Sequence, residues 1–285
     1  MAIEARNGHL PARTNVFTMH KNANGCNAHI LVIDLCKSHI SYEYLRKIGV
    51  TNPNIHVTAD LAFAIDAATD KRVAEILQVE GVSGVRKPII GVSLSKVISK
   101  WAFPDVSDPE EKYKRYVKII ASILDDLIVK TGGTIVFIPH VFGSSDSNND
   151  RQTHKKINDS MKLKDQTLLI DTEYSAGELR GLIGNCDFFI GARTHALISA
   201  AMTCVPFIGL EYESFKTRGI LGRMLGFDRY VYNIQEMDEG SLKRLILDCW
   251  DQKSSIRQEL EQKLPGIRER VSINDRLLHE LLDKK

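Results

Sequence analysis

Asp187-Phe-Phe-Ile-Gly-Ala-Arg-Thr-His195, running into Ala196-Leu-Ile-Ser-Ala-Ala-Met202, is the stretch on which the fold turns. An apolar strand ends at Gly191, the backbone turns, and a helix of small residues opens with Arg193 and His195 at its start. Downstream, Cys204-Val-Pro-Phe-Ile-Gly-Leu210 reads as the next buried strand. Glu211-Tyr212 and then Lys216-Thr-Arg218-Gly219 follow it. Two successive strands of a parallel sheet would bring Arg193, His195, Lys216 and Arg218 to one carboxyl edge. That edge is where open α/β sheets bind ligands.

A helix N-terminus carries unsatisfied N–H groups and about half a unit of positive charge. A guanidinium and a titratable imidazole placed there suit an anionic substrate that needs a proton moved. The plainer alternative is a packed histidine and a helix-start arginine paired with a surface carboxylate, worth at most about 1 kcal/mol.

Upstream, apolar runs alternate with amphipathic helical patterns, which is the mark of βαβ units and a largely parallel sheet. Pro88-Ile-Ile-Gly-Val-Ser-Leu94 reads as a buried strand. Asp108-Pro109 supplies an N-cap and a proline at the first helical position. The helix after it lines up Tyr113, Tyr116, Val117, Ile120, Leu124, Leu127 and Ile128 on one stripe and stops at Gly132-Gly133. Thr134–Ile138 and Thr167–Ile170 are further strands, and Ser175-Ala-Gly-Glu178 has capping-box spacing. A boundary is expected between about 65 and 88, where the helical pattern Asp70–Glu80 gives way to Gly81-Val-Ser-Gly84 and Arg86-Lys-Pro88. The region 241–285 reads as two helices broken at Pro265-Gly266. Residues 1–30 show no sustained period and are expected to be loop or disorder.

Composition narrows the classes. The 285 residues carry a net charge of +2, which argues against a nucleic-acid binder driven by bulk electrostatics, so any anion site must be local. The five cysteines (Cys26, Cys36, Cys186, Cys204 and Cys249) show no C-x-x-C spacing and read as reduced core residues. No apolar run reaches the ~18 residues of a membrane span. Neither metal nor cofactor is expected, and a cytoplasmic location is the default. The polar loop Asp146, Asn148, Asn149 and Asp150 departs from calcium-loop spacing and reads as solvated.

Gly-Ala-Arg193-Thr-His195-Ala, then Cys204-Val-Pro, then Lys216-x-Arg218-Gly resemble the polysaccharide pyruvyl transferase family. Supporting stretches are Ser41–Gly49, Val57-Thr-Ala-Asp60, Ile90-Gly-Val-Ser-Leu94 and Ile138-Pro-His140, all in the family's order. The resemblance implies a relation to two-domain glycosyltransferases of the B type. It also implies transfer of the enolpyruvyl group of phosphoenolpyruvate to a sugar of a surface polysaccharide or its precursor, as a pyruvate ketal. On that resemblance Arg193 grips the donor and His195 is catalytic, and Lys216 and Arg218 form a second anion grip. His140 lines the acceptor site or caps a strand. Asp60 is a base, an orienter of a histidine, or a turn-forming aspartate. Lys96 stands where some relatives place an arginine.

The expected architecture is therefore α/β. A partial N-terminal Rossmann-like unit occupies residues 1–65, and a C-terminal Rossmann-like parallel-sheet domain with closing helices occupies residues 86–285. Family members usually carry a complete first domain, and here only its last strand–helix–strand unit is expected. The resemblance thus implies either a truncated product or a partner that supplies the other half. Two competing functions stand beside it: a nucleotide-sugar glycosyltransferase, with Glu211-Tyr212 as a ribose contact, and a non-catalytic remnant or binding module. Self-association into a homo-oligomer and peripheral contact with a lipid-linked glycan are left open.

Overall fold

The computed structural model describes residues 3–4, 15–19, 31–36, 39–145, 148–212 and 216–283. Chain contacts divide the protein into two units. The larger holds Ile65–Ser214 and Arg229–Leu264. The smaller holds Met1–Ala64, Phe215–Asp228 and Pro265–Lys285. The linear patterns place a boundary between about 65 and 88, whereas residues 65–88 here belong to the larger unit, and they give no sign that 215–228 and 265–285 group with the smaller one.

The smaller unit is built on a four-stranded sheet of β1 (Ile3–Glu4), β2 (Asn15–Met19), β3 (Leu31–Cys36) and β4 (Ile55–Val57), in that order. β3 and β4 are parallel and joined by α1 (His39–Lys47), the expected strand–helix–strand unit. The expectation of loop throughout residues 1–30 is corrected here. β2 pairs antiparallel with β3, Asn15 opposite Leu35 and Met19 opposite Leu31, and β1 pairs with β2. A five-residue strand is too short to declare a period, yet Val16, Phe17 and Thr18 all favour extended backbone. Leu45 and Ile55 form the buried centre under α1. A π-helical segment, Arg218–Met224, packs on α1. The buried Asn274 donates from Nδ2 to the Ala59 carbonyl at 3.0 Å, joining residues 215 positions apart.

The larger unit is a six-stranded parallel sheet. Its strands are β5 (Ile89–Ser93), β6 (Thr134–Phe137), β7 (Thr167–Leu169), β8 (Phe188–Gly191), β9 (Phe207–Glu211) and β10 (Val231–Asn233). The spatial order is β7-β6-β5-β8-β9-β10, every pair parallel. The chain steps outward from β5 to β7, then returns to β8 on the other side of β5. This is the doubly wound order, and the crevice at its reversal lies at the carboxyl ends of β5 and β8.

Its helices are α2 (Asp70–Val79), α3 (Pro109–Thr131), α4 (Asp150–Ser160), α5 (Ala176–Gly184), α6 (Thr194–Met202) and α7 (Glu239–Asp251), with α8 (Lys253–Asp283) continuing into the smaller unit. Local chemistry explains their limits. Asp108 caps α3 through a 3.1 Å bond from the Glu110 N–H, and Pro109 opens the helix. Gly132 closes it in the left-handed conformation, φ 64°. A Cβ on Gly133 would meet the Pro88 carbonyl oxygen at 2.2 Å, so only glycine fits where β6 starts beside β5. The reciprocal capping box of Ser175 and Glu178 starts α5. All seven residues of the α3 stripe are buried, as are all five of β5.

Pro265 does not end a helix. It lies inside α8, and the expected break falls earlier, at Gln252 between α7 and α8. Among the described residues no helix is long and apolar enough to cross a membrane.

Candidate functional site

The carboxyl ends of β5, β6 and β8 carry a compact polar group. β8 ends at Gly191, and the Ala192 N–H bonds the Ser93 carbonyl at 2.8 Å, which holds the following turn against β5. Arg193 is the N-cap residue of α6 but makes no side-chain cap; its guanidinium turns to Asp150 instead. Nη2 donates to Asp150 Oδ1 at 2.7 Å, and Nε lies 3.2 and 3.3 Å from the two oxygens. Asp150 is 1% exposed along its side chain and Arg193 16%. The surface carboxylate imagined for a bland Arg193 is therefore a buried one.

Asp150 is the first residue of α4 and also closes the turn after β6. Its Oδ2 accepts the N–H of Val141 at 3.0 Å and of His140 at 3.2 Å, and its own N–H bonds the Val141 carbonyl at 2.9 Å. Asn149 caps α4, with Oδ1 accepting the Arg151 N–H. The reading of this stretch as a solvated loop is corrected for Asn149 and Asp150; Asp146 lies outside the described residues. An aspartate opening a helix is ordinary in sequence, and only the fold shows its carboxylate turned inward.

Two further groups were hidden in the core pattern. His154, one turn along α4, is fully buried, and its Nε2 accepts the Leu94 N–H at 2.9 Å. The ring proton of the neutral form therefore sits on Nδ1, which has no partner. Burial lowers the His154 pKa to about 4, against a smaller upward pull from Asp150. Tyr116 belongs to the α3 stripe, and its buried hydroxyl is likewise unpartnered. Burial raises its pKa well above the usual phenol value. Polar residues at helical spacing in an apolar stripe give no sequence signal of their role.

His140 keeps a buried Nδ1 with no hydrogen-bond partner. Its pKa falls to about 4, first through burial and then through the charge of the neighbouring His195. It is neutral near pH 7. His195, on the first turn of α6, is exposed. The rim thus pairs a sequestered neutral imidazole with an accessible one, beside a guanidinium fixed on one edge. Such a pair can divide acid and base duties.

The other sequence candidates have partners of their own. Lys96 pairs with Glu110 at 2.7 Å and lies 4.7 Å above the Tyr113 ring. Asp60 is 2% exposed, and its Oδ1 accepts the Ala62 N–H at 3.0 Å while its carbonyl accepts the Phe63 N–H, capping the turn Leu61–Ala64. Asp60, Lys216 and Arg218 all belong to the smaller unit. Lys216 is exposed, and Arg218 pairs with Asp228 at 2.7 Å.

The α/β fold is similar to those of two solved structures that bind nucleotide sugars or their parts. HepE of Anabaena, solved with UDP and glucose, has a TM-score of 0.53 at 12% identity, covering 88% of this chain and 62% of that one. UDP-GlcNAc 2-epimerase from Neisseria meningitidis, solved with UDP-GlcNAc, gives 0.51 at 11% identity, covering 87% and 60%. The polysaccharide pyruvyl transferase family model matches residues 39–214, and the chain belongs to that family. The amylovoran biosynthesis protein AmsJ of Erwinia amylovora is 22% identical over 226 residues, 79% of this chain and 52% of AmsJ. The chain thus spans about half the length of that curated relative.

Proposed function

We propose that the protein transfers the enolpyruvyl group of phosphoenolpyruvate to a sugar of a surface polysaccharide or its lipid-linked precursor. The observation that carries this reading is Arg193 and His195, two positions apart at the start of α6, on the reversal crevice of the sheet and within the residues the family model matches. Arg193 is the group that holds the donor's carboxylate or phosphate. His195, reachable by solvent, delivers a proton to the methylene carbon. A sugar hydroxyl then bonds to the neighbouring carbon, a second hydroxyl closes the ketal, and inorganic phosphate leaves with the remaining hydroxyl proton. His140, neutral, lines the acceptor side as a hydrogen-bond partner or proton acceptor. Lys216 and Arg218, in the smaller unit, keep only the anion-binding role that the family resemblance gives them. Lys96, paired with Glu110, and Asp60, engaged in a backbone turn, are given no step in it. The reaction belongs in the cytoplasm, where phosphoenolpyruvate is made.

Glu211 favours a second reading. It is 4% exposed at the carboxyl end of β9, a position suited to a ribose hydroxyl of a nucleotide-sugar donor. Thermal shifts with phosphoenolpyruvate and with UDP-sugars separate the two, since a ligand stabilises the fold by its occupancy. Phosphate release from phosphoenolpyruvate that depends on added sugar supports the first reading. Stabilisation by UDP-sugars alone overturns it.

A further inference from the structure

We infer that Asp150 is a positioning residue: it aims Arg193 at the anionic substrate and fixes the turn that carries His140. This rests on the reading of Arg193 as the donor grip. The two oxygens of Asp150 do different jobs. Oδ1 receives Nη2 of Arg193 at 2.7 Å, Nε lies between the two oxygens at 3.2 and 3.3 Å, and Oδ2 also receives two successive backbone N–H groups, those of His140 and Val141. Edge-on pairing fixes the plane of a guanidinium as well as its place, which a single point contact does not. Arg193 Nη1 then has no protein acceptor among the described residues and is the donor left for a ligand.

The carboxylate itself has a firm base. It opens α4, a helix tied to the end of β5 through His154 and Leu94 and to α3 through the Thr153 hydroxyl, which the Tyr113 hydroxyl meets at 3.4 Å. One buried carboxylate therefore sets the ends of β6 and β8 relative to each other. Asparagine cannot do the same work. It has one acceptor oxygen, so whichever way it turns, its NH₂ group faces donors: either those of Arg193 or the two backbone N–H groups.

This role predicts a sign opposite to simple electrostatics. Removing a negative charge beside an anion site should tighten anion binding if Asp150 only lends its charge to packing. If it aims Arg193, Asp150→Asn should weaken binding although the arginine is still present. Calorimetry with inorganic phosphate at fixed low salt tests this on wild type, Asp150→Asn, Arg193→Gln and the double variant, with thermal melts to verify folding. The expected result is a loss of at least about tenfold for either single variant and no further loss in the double, because both act through one contact. The double variant, which leaves no lone buried charge, should also recover melting temperature relative to the singles. Phosphate binding by Asp150→Asn that equals or exceeds wild type overturns the inference, as do additive losses in the double. The pyruvyl transfer reading fails separately: wild type that binds phosphate but releases none from phosphoenolpyruvate with any sugar would sink that reading, while the phosphate comparison still decides the role of Asp150.

Discussion

Arg193 and Arg218 each hold an aspartate at 2.7 Å, yet the two pairs differ in nearly every physical respect. The partner of Arg193 is 1% exposed and shares its second oxygen with two backbone N–H groups. The partner of Arg218 is 56% exposed. Distance alone would rank them equal. Burial and the two backbone donors at Oδ2 make the first a structural joint, while the exposed aspartate leaves the second pair screened by water.

The most severe test of that contrast concerns chemistry. His195→Gln, beside Arg193, should lower turnover by about 10²–10⁴ while donor affinity changes little, because an amide keeps a hydrogen bond but cannot exchange the proton. Steady-state rates with phosphoenolpyruvate and an active sugar acceptor measure it. Equal turnover in wild type and variant removes His195 from the mechanism.

Stability comes next. Arg193→Ala leaves the Asp150 carboxylate buried without its cation and should cost about 3–5 kcal/mol in urea unfolding. A cost below about 1 kcal/mol would show that the pair is as well solvated as the surface one.

Acid sharpens the contrast from another side. His140 and His154, on the Asp150 side of the sheet, have folded pKa values of about 4 against 6.5 for an ordinary histidine. The unfolded chain therefore binds more protons between these values, so stability is full above pH 6.5 and falls as pH drops towards 4. The loss is on the order of 3 kcal/mol for each histidine. Unfolding curves at pH 7.5, 5.5 and 4.5 should show it. His154→Gln, which keeps an acceptor for the Leu94 N–H, should flatten part of the slope; an unchanged slope would mean that folding does not shift the His154 pKa.

The smallest effect is expected at the other arginine. Arg218→Ala should shift stability by no more than about 1 kcal/mol, and high salt should erase most of even that. A larger, salt-resistant loss would mean that the π-helical segment depends on the Asp228 pair.

What the sequence could show follows from what its patterns encode. α3 was legible because its cap, its first-turn proline, its stripe and its terminal glycine all agree. The strand–turn–helix at Phe188–Met202 was legible because an apolar run and a helix start adjoin. Asp150 was not, because its meaning lies in a partner 43 positions away, and a polar run before a helix looks the same whether it is solvated or turned inward. Tyr116 fits the apolar period perfectly well as a core residue, so nothing marks its hydroxyl. Segments 215–228 and 265–285 join the first residues through contacts that no local period records. Pro265 misled because a proline can be carried within a helix when its surroundings accommodate the missing N–H.

The bond from Asn274 to the Ala59 carbonyl sets a clock on biosynthesis. Ala59 leaves the ribosome 215 residues before its partner does, a wait of roughly 10–40 s at ordinary elongation rates. During that interval the parallel sheet has almost all of its own chain available, while Ala59 lacks the side chain that bonds its carbonyl. The Ala59 carbonyl thus receives its donor only once most of α8 has been made, later than every strand of the six-stranded sheet.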